Sequence, residues 1–133
     1  MDNTLSNIEK FHGHLGPYAV IGYKMGIIAN ENLGDDPFIK NAKVWTGCNP
    51  PISCIIDGIQ LSSGCTLGKG NIEVIDENTP KAVFTNKNGK NIIIQLNEEI
   101  RNEIDSEVNK DNIEDYSQYI YKKSNSELFT IIY

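Results

Sequence analysis

Ala82-Val83-Phe84-Thr85-Asn86-Lys87-Asn88-Gly89-Lys90-Asn91-Ile92-Ile93-Ile94-Gln95-Leu96 is the stretch on which the fold turns. Its two ends, Ala82 to Thr85 and Asn91 to Leu96, are rich in β-branched and aromatic residues and read as strands. Asn88-Gly89 between them predicts a type I′ hairpin, because that turn needs positive φ at both central positions. Working outward, Lys43 to Thr46 and Ile72 to Ile75 have strand character, and Leu128 to Tyr133 reads as an edge strand.

Helical segments surround these strands. A short helix is expected over Leu5 to Phe11, ended by a glycine-rich turn. A second starts at Pro17, whose missing N–H costs nothing at a first helical position, and stops at Gly34. Ala19, Gly22, Gly26 and Ala29 fall on one face of it, so that another backbone can approach closely, either within the chain or from a second copy. Asn49-Pro50-Pro51 breaks the chain before a third helix over residues 52–63. Ile52, Ile55, Ile56 and Ile59 form its apolar stripe; Ser53, Cys54, Asp57 and Gln60 occupy the other side. Asn97 is placed to cap a fourth helix whose first turn carries Glu98 and Glu99, with Ile100, Ile104 and Val108 inside. A fifth is expected over Asn112 to Lys123. The sum is an α+β fold: a small, mostly antiparallel sheet packed with helices, in one domain spanning residues 1–133.

The 133 residues carry 12 basic and 18 acidic side chains, a formal charge of -6. That balance gives no basic stripe for nucleic acid or an anionic membrane. The acidic residues cluster between Glu98 and Asp115 and read as a solvated helical surface. No apolar run approaches the roughly 20 residues that span a bilayer, and Met1 to Lys10 lacks the pattern of a secretory signal, so a cytoplasmic location is expected. Three cysteines in such a chain point to reduced thiols, metal binding or plain burial before a disulfide framework.

Chemistry concentrates in two places. Phe11-His12-Gly13-His14-Leu15-Gly16-Pro17 holds both histidines, and Gly64-Cys65-Thr66-Leu67-Gly68-Lys69-Gly70-Asn71 holds a cysteine among glycines. His12, His14, Cys54 and Cys65 form a mixed nitrogen and sulfur set of the kind that suits zinc or another borderline divalent ion. The same residues allow a second chemistry, in which a Cys54 or Cys65 thiolate is activated by a histidine oriented by Asp57. The glycine loop is not a nucleotide-binding P-loop: three residues rather than four separate Gly64 from Gly68, and Gly70 follows Lys69. Lys69 remains able to bind a carboxylate or phosphate on a smaller ligand.

Those two segments, with Cys54-Ile55-Ile56-Asp57-Gly58-Ile59-Gln60 between them, resemble the formylmethanofuran dehydrogenase E-type (FmdE) family over roughly the first two thirds of the chain. The resemblance implies an α+β core in an intertwined homodimer, a metal or pocket lined by His14, Cys54 and Cys65, and polar neighbours His12, Asp57, Gln60, Thr66 and Lys69. It further implies an accessory, metal-binding role linked to one-carbon metabolism and methanogenesis in an anaerobe, with a larger redox complex as partner. Many members have cysteine where this chain has Gly16, glycine where it has Tyr18, and a C-terminal cysteine-rich zinc module, whereas no cysteine follows Cys65; the likeness is to the core-only form. Two alternatives stand beside the accessory role. One is a small enzyme in which a Cys thiolate or metal-bound water attacks a small carbonyl substrate, with His12, Asp57, Gln60 and Lys69 as catalytic groups. The other is a purely structural dimeric partner.

Overall fold

Periodicity along the chain is realised as six helices and five strands in a computed structural model that describes residues 3–133. Helices α1 (Thr4–His12) and α2 (Pro17–Leu33) come first. A 3-10 turn, Pro37–Ile39, then leads into β1 (Lys40–Val44). Helix α3 (Cys54–Ser63) follows, then β2 (Ile72–Val74), β3 (Lys81–Asn86) and β4 (Asn91–Leu96). Helices α4 (Glu98–Glu107), α5 (Ile113–Lys122) and α6 (Asn125–Leu128) precede the last strand, β5 (Phe129–Ile132).

The strands form one sheet in the order β2-β1-β3-β4-β5. Three of its four pairings are antiparallel. The exception, β1 with β2, is parallel, and the crossover that parallel neighbours need is supplied by the connection containing α3. In β1 the residues Lys40, Ala42 and Val44 turn inward, and Asn41 and Lys43 face solvent. Lys40 was concealed in the sequence as a polar residue ahead of the expected strand start at Lys43. It is buried because its ammonium donates to the carbonyls of Gly34 at 2.7 Å and Asp36 at 3.1 Å.

Helix α2 is buried around most of its circumference, with Val20, Ile21, Met25 and Ile28 in the core. Its stripe of small residues is taken by α3 of the same chain. A methyl group on Gly22 would overlap the Ile55 carbonyl, and one on Gly58 would overlap the Ala19 carbonyl. Ile55 and Ile59 are fully buried, worth about 1.5–3 kcal/mol each. This contact locks α3, and so Cys54 and Asp57, to α2.

Two local expectations are corrected. The hairpin closes through Lys87-Asn88-Gly89: Asn86 N–H donates to Lys90 O, Gly89 N–H donates to Asn86 O, and only Gly89 has positive φ, +82°. That is a three-residue loop, favoured because the Asn86 side chain accepts from the N–H groups of Asn88 and Lys90. Asn97 stands at the start of α4 but does not cap it with its side chain. Its amide instead accepts from Thr130 at 2.6 Å and donates to Glu127 O at 3.1 Å, tying β5 to the end of β4. Among the described residues no helix is long and apolar enough to cross a membrane.

Candidate functional site

Helix α1 runs one residue beyond Phe11, so that His12 closes it, and Gly13 at φ +100° turns the chain out of the helix. The left-handed residue sets His14 beside its neighbour: the two ring centroids are 4.8 Å apart, with planes inclined at 38°. Across from them, α3 presents Asp57 one turn after Cys54. His12 Nδ1 lies 2.6 Å from Asp57 Oδ2. A carboxylate can only accept, so the hydrogen of that bond sits on Nδ1, and in the neutral ring Nε2 carries a lone pair. Nε2 is buried and, among the described residues, has no hydrogen-bond partner.

His12, His14 and Cys54 line a cavity of about 560 Å³. Tyr18 of α2 and Asp105 of α4 line it as well, and its walls include Pro17, Pro50, Pro51, Ile104, Val108 and Ile113. The size is that of a small-molecule site, and the mixture of apolar walls with a few convergent polar groups is what such a site requires. Tyr18 donates its hydroxyl to Asp105 Oδ1 at 2.7 Å. Burial, and then that carboxylate, push the phenol far above its ordinary range and keep it protonated, against a smaller opposing contribution from Arg101. Burial and the charge of Asp57 likewise push the Cys54 thiol up, against a smaller opposing contribution from a backbone hydrogen bond.

The residues singled out in the sequence divide into two groups. His12, His14, Cys54 and Asp57 come together. Gln60, Cys65 and Lys69 do not line the cavity. Cys65 follows the far end of α3, whose ten residues place it roughly 15 Å along the axis from Cys54. Sulfur atoms that share an ion through bonds of about 2.3 Å cannot be so far apart. The expected set of His14, Cys54 and Cys65 is therefore not assembled within one chain, and among the described residues no three His, Cys, Asp or Glu side chains form a group able to hold a metal.

The second group builds a loop. Gln60 Oε1 accepts from Leu67 N–H at 3.0 Å, Asn71 Oδ1 accepts from Thr66 N–H at 2.8 Å, and Lys69 is exposed beside the Phe38 ring. Cys65 is fully buried; burial pushes its thiol up, against the Ser63 hydroxyl and the charges of Lys40 and Lys69. Both thiols thus move away from the thiolate that a cysteine nucleophile needs. Tyr18 and Asp105 were missed in the sequence, Asp105 because it stood among acidic residues read as a solvated surface.

Gly16 also acquires a meaning. A Cβ built there would lie 3.1 Å from His14 Cε1, so any side chain at this position would stand against the imidazole.

Comparison with known proteins agrees with the likeness of the motifs. A protein from Archaeoglobus fulgidus described as a probable S-adenosyl-L-methionine-binding protein is 27% identical over 136 residues, covering 96% of this chain. The chain spans about a third, 35%, of that relative's length. An FmdE-like protein of the tungsten formylmethanofuran dehydrogenase type, from Syntrophus aciditrophicus, shares the fold, with a TM-score of 0.73 at 23% identity over 98% of this chain and 69% of the other. The model of the FmdE family, described as molybdenum formylmethanofuran dehydrogenase operon, matches residues 11–130, and the chain belongs to that family.

Proposed function

We propose that this FmdE-family chain is a metal-binding accessory protein of one-carbon metabolism, acting as a homodimer. A divalent ion, zinc or one of similar softness, is bound at the cavity lining with His12 and Cys54 as its two donors from one chain. The observation that carries this reading is His12, a residue of the cavity lining whose Nε2 is a buried lone pair with no hydrogen-bond partner among the described residues. An imidazole whose other nitrogen is fixed by a carboxylate is the usual form of a metal-bound histidine, since the carboxylate sets the tautomer and the ring orientation. The nitrogen and sulfur donors suit zinc. With no group of three such side chains gathered among the described residues of one chain, the remaining positions fall to water, to a ligand in the cavity or to a second copy. An ion there would supply Lewis acidity and an acidified water.

The link to one-carbon metabolism rests on the family and its name. S-adenosyl-L-methionine is a candidate occupant of the cavity through the Archaeoglobus relative, although that name covers a protein of which this chain matches only 35%. The enzymatic alternative is weaker in its thiolate form, because both candidate thiols are pushed toward the neutral state.

Elemental analysis of untagged protein, followed by zinc titration after chelation, tests the proposal. Wild type should take up the ion, His12→Ala and Cys54→Ser should lose it, and Cys65→Ser should keep it. No uptake by wild type, or uptake indifferent to His12, overturns the reading.

A further inference from the structure

Helix α2 opens on the cavity: its N-cap Gly16 and its first three residues, Pro17, Tyr18 and Ala19, all stand on the lining. Glycine brings no side chain to cap the turn, proline has no N–H, and the first turn holds no acid. The first backbone bond of the helix runs from Val20 N–H to Gly16 O at 3.1 Å. The N–H groups of Tyr18 and Ala19 therefore precede the helical ladder and, among the described residues, meet no acceptor. Both residues are buried, where an unpaired N–H is costly unless something in the cavity accepts from it.

A second feature of the same lining asks for an occupant. The His12 side chain is only 10% exposed, its Nδ1 is taken by Asp57, which does not line the cavity, and its Nε2 has no partner among the described residues. A fixed, buried lone pair of this kind marks a wall built around an ion or a small molecule. The neighbouring polar groups include further donors. Asn109 Oδ1 already accepts from the N–H groups of Asp111 and Asn112, which leaves its amide hydrogens, and Lys110 forms no ion pair among the described residues. Asp105, the one carboxylate on the lining among those residues, is half exposed, accepts from Tyr18 and has Arg101 Nε at 3.9 Å, so its charge is both paired and screened.

We infer that the first turn of α2 receives the carboxylate of a small molecule held in this cavity, its two oxygens accepting from the N–H groups of Tyr18 and Ala19. Unpaired N–H groups at the positive end of a 17-residue helix favour an anion over a neutral or cationic group. Two N–H groups match the two oxygens of a carboxylate, and Pro17 withholds the third that a phosphoryl group would use. This names the ligand class of the cavity already proposed to be functional, and so rests on that cavity. The α2 terminus and the ion donors His12 and Cys54 nevertheless come from different helices and can fail separately.

Phenylacetate, phenylacetamide and phenethylamine serve as probes, titrated into the full chain by ligand-observed NMR, with metal content measured in the same samples. Wild type should bind phenylacetate about tenfold more tightly than phenylacetamide, which has the same outline without the charge, and more tightly than the amine. Gly16→Asp supplies a carboxylate of the chain's own at the N-cap, whereas Gly16→Ala brings the same Cβ against His14 without one. The Asp variant should bind phenylacetate about tenfold more weakly than the Ala variant, with their affinities for phenylacetamide alike. Lys110→Gln, at an exposed position, should weaken phenylacetate by less than Gly16→Asp does. After chelation, in samples whose circular dichroism is unchanged, the preference should persist. No preference over the amide, equal or tighter binding of the amine, Gly16→Asp matching Gly16→Ala, a larger loss in Lys110→Gln than in Gly16→Asp, or a preference that leaves with the ion overturns the inference. The last result would place the carboxylate on the ion and leave the metal proposal standing; a preference that persists in protein unable to take up zinc would sink the metal proposal alone.

Discussion

His12 Nδ1 and Asp57 Oδ2 meet at 2.6 Å across 45 residues of sequence, and this bond fixes which nitrogen of the imidazole keeps its lone pair. Asp57 does not itself line the cavity, so under the proposed function its influence there passes through His12. Replacing it by Asn keeps the size but lets an amide donate where the carboxylate accepted, so the ring can flip its tautomer and present an N–H in place of a lone pair. Asp57→Asn should weaken zinc binding by about 10–100-fold, the range typical for losing an outer carboxylate partner. Competition titration against a chromophoric chelator measures it, with unchanged thermal stability separating a tautomer effect from unfolding. Affinity equal to wild type would remove Asp57 from the site.

Gly22 and Gly58 make a second, purely structural prediction. Each lies so close to the facing backbone that a single methyl group cannot be accommodated without moving a helix. Gly22→Ala and Gly58→Ala should each destabilise the fold by roughly 1–3 kcal/mol, or prevent folding, despite the gain in helix propensity from Gly to Ala. Urea denaturation measures the loss. By contrast Gly68, where an added Cβ meets nothing within 4 Å and φ is not left-handed, should accept alanine with little change.

What could be read from the sequence follows from the range of the forces involved. Strands and helices announce themselves through local composition, turn residues and periodicity, and β3, β4, α2 and α3 lie close to where the β-branched runs, the Pro17 and Gly34 boundaries and the Ile55/Ile59 stripe put them. The small residues from Ala19 to Ala29 announced a close helix crossing but not its partner, since steric room is the same whether α3 or a second copy fills it. The distance between Cys54 and Cys65 was already implicit: a helix over 52–63 has Cys54 near its start and Cys65 just past its end, roughly 14 Å along the axis, too far for the two to share an ion within one chain. The pairing of Tyr18 with Asp105, 87 residues apart, had no such local sign, because one acid among many on a helix looks like every other.

The thiols provide a prediction with a pH sign. Raised thiol pKa values mean that Cys54 and Cys65 carry even less thiolate at neutral pH than an ordinary cysteine. Iodoacetamide at pH 7 should therefore label the exposed Cys48 first, with Cys54 slower and the fully buried Cys65 slowest. Labelling of Cys54 should accelerate only as pH rises beyond the usual thiol range. Peptide mapping by mass spectrometry resolves the three sites. Fast alkylation of Cys54 at neutral pH would restore the thiolate mechanism.

Tyr18 should make the protein sensitive to alkali. Its folded pKa is raised by burial and by Asp105, so the folded state demands the neutral phenol, whereas an unfolded tyrosine ionises near its ordinary value of 10. Stability from this group is fully present below pH 10 and is lost as pH climbs above it, because the unfolded chain then gives up a proton that the folded chain retains. The slope is at most about 1.4 kcal/mol per pH unit for one such group. Tyr18→Phe removes the ionisable hydroxyl, and its stability should fall less steeply between pH 10 and 11 than that of wild type, even if it starts lower through the lost bond to Asp105. Parallel urea titrations at pH 8, 10 and 11 measure this. Equal slopes in the two proteins would show that the phenol is free to ionise, and hence that the cavity wall at Tyr18 is wet.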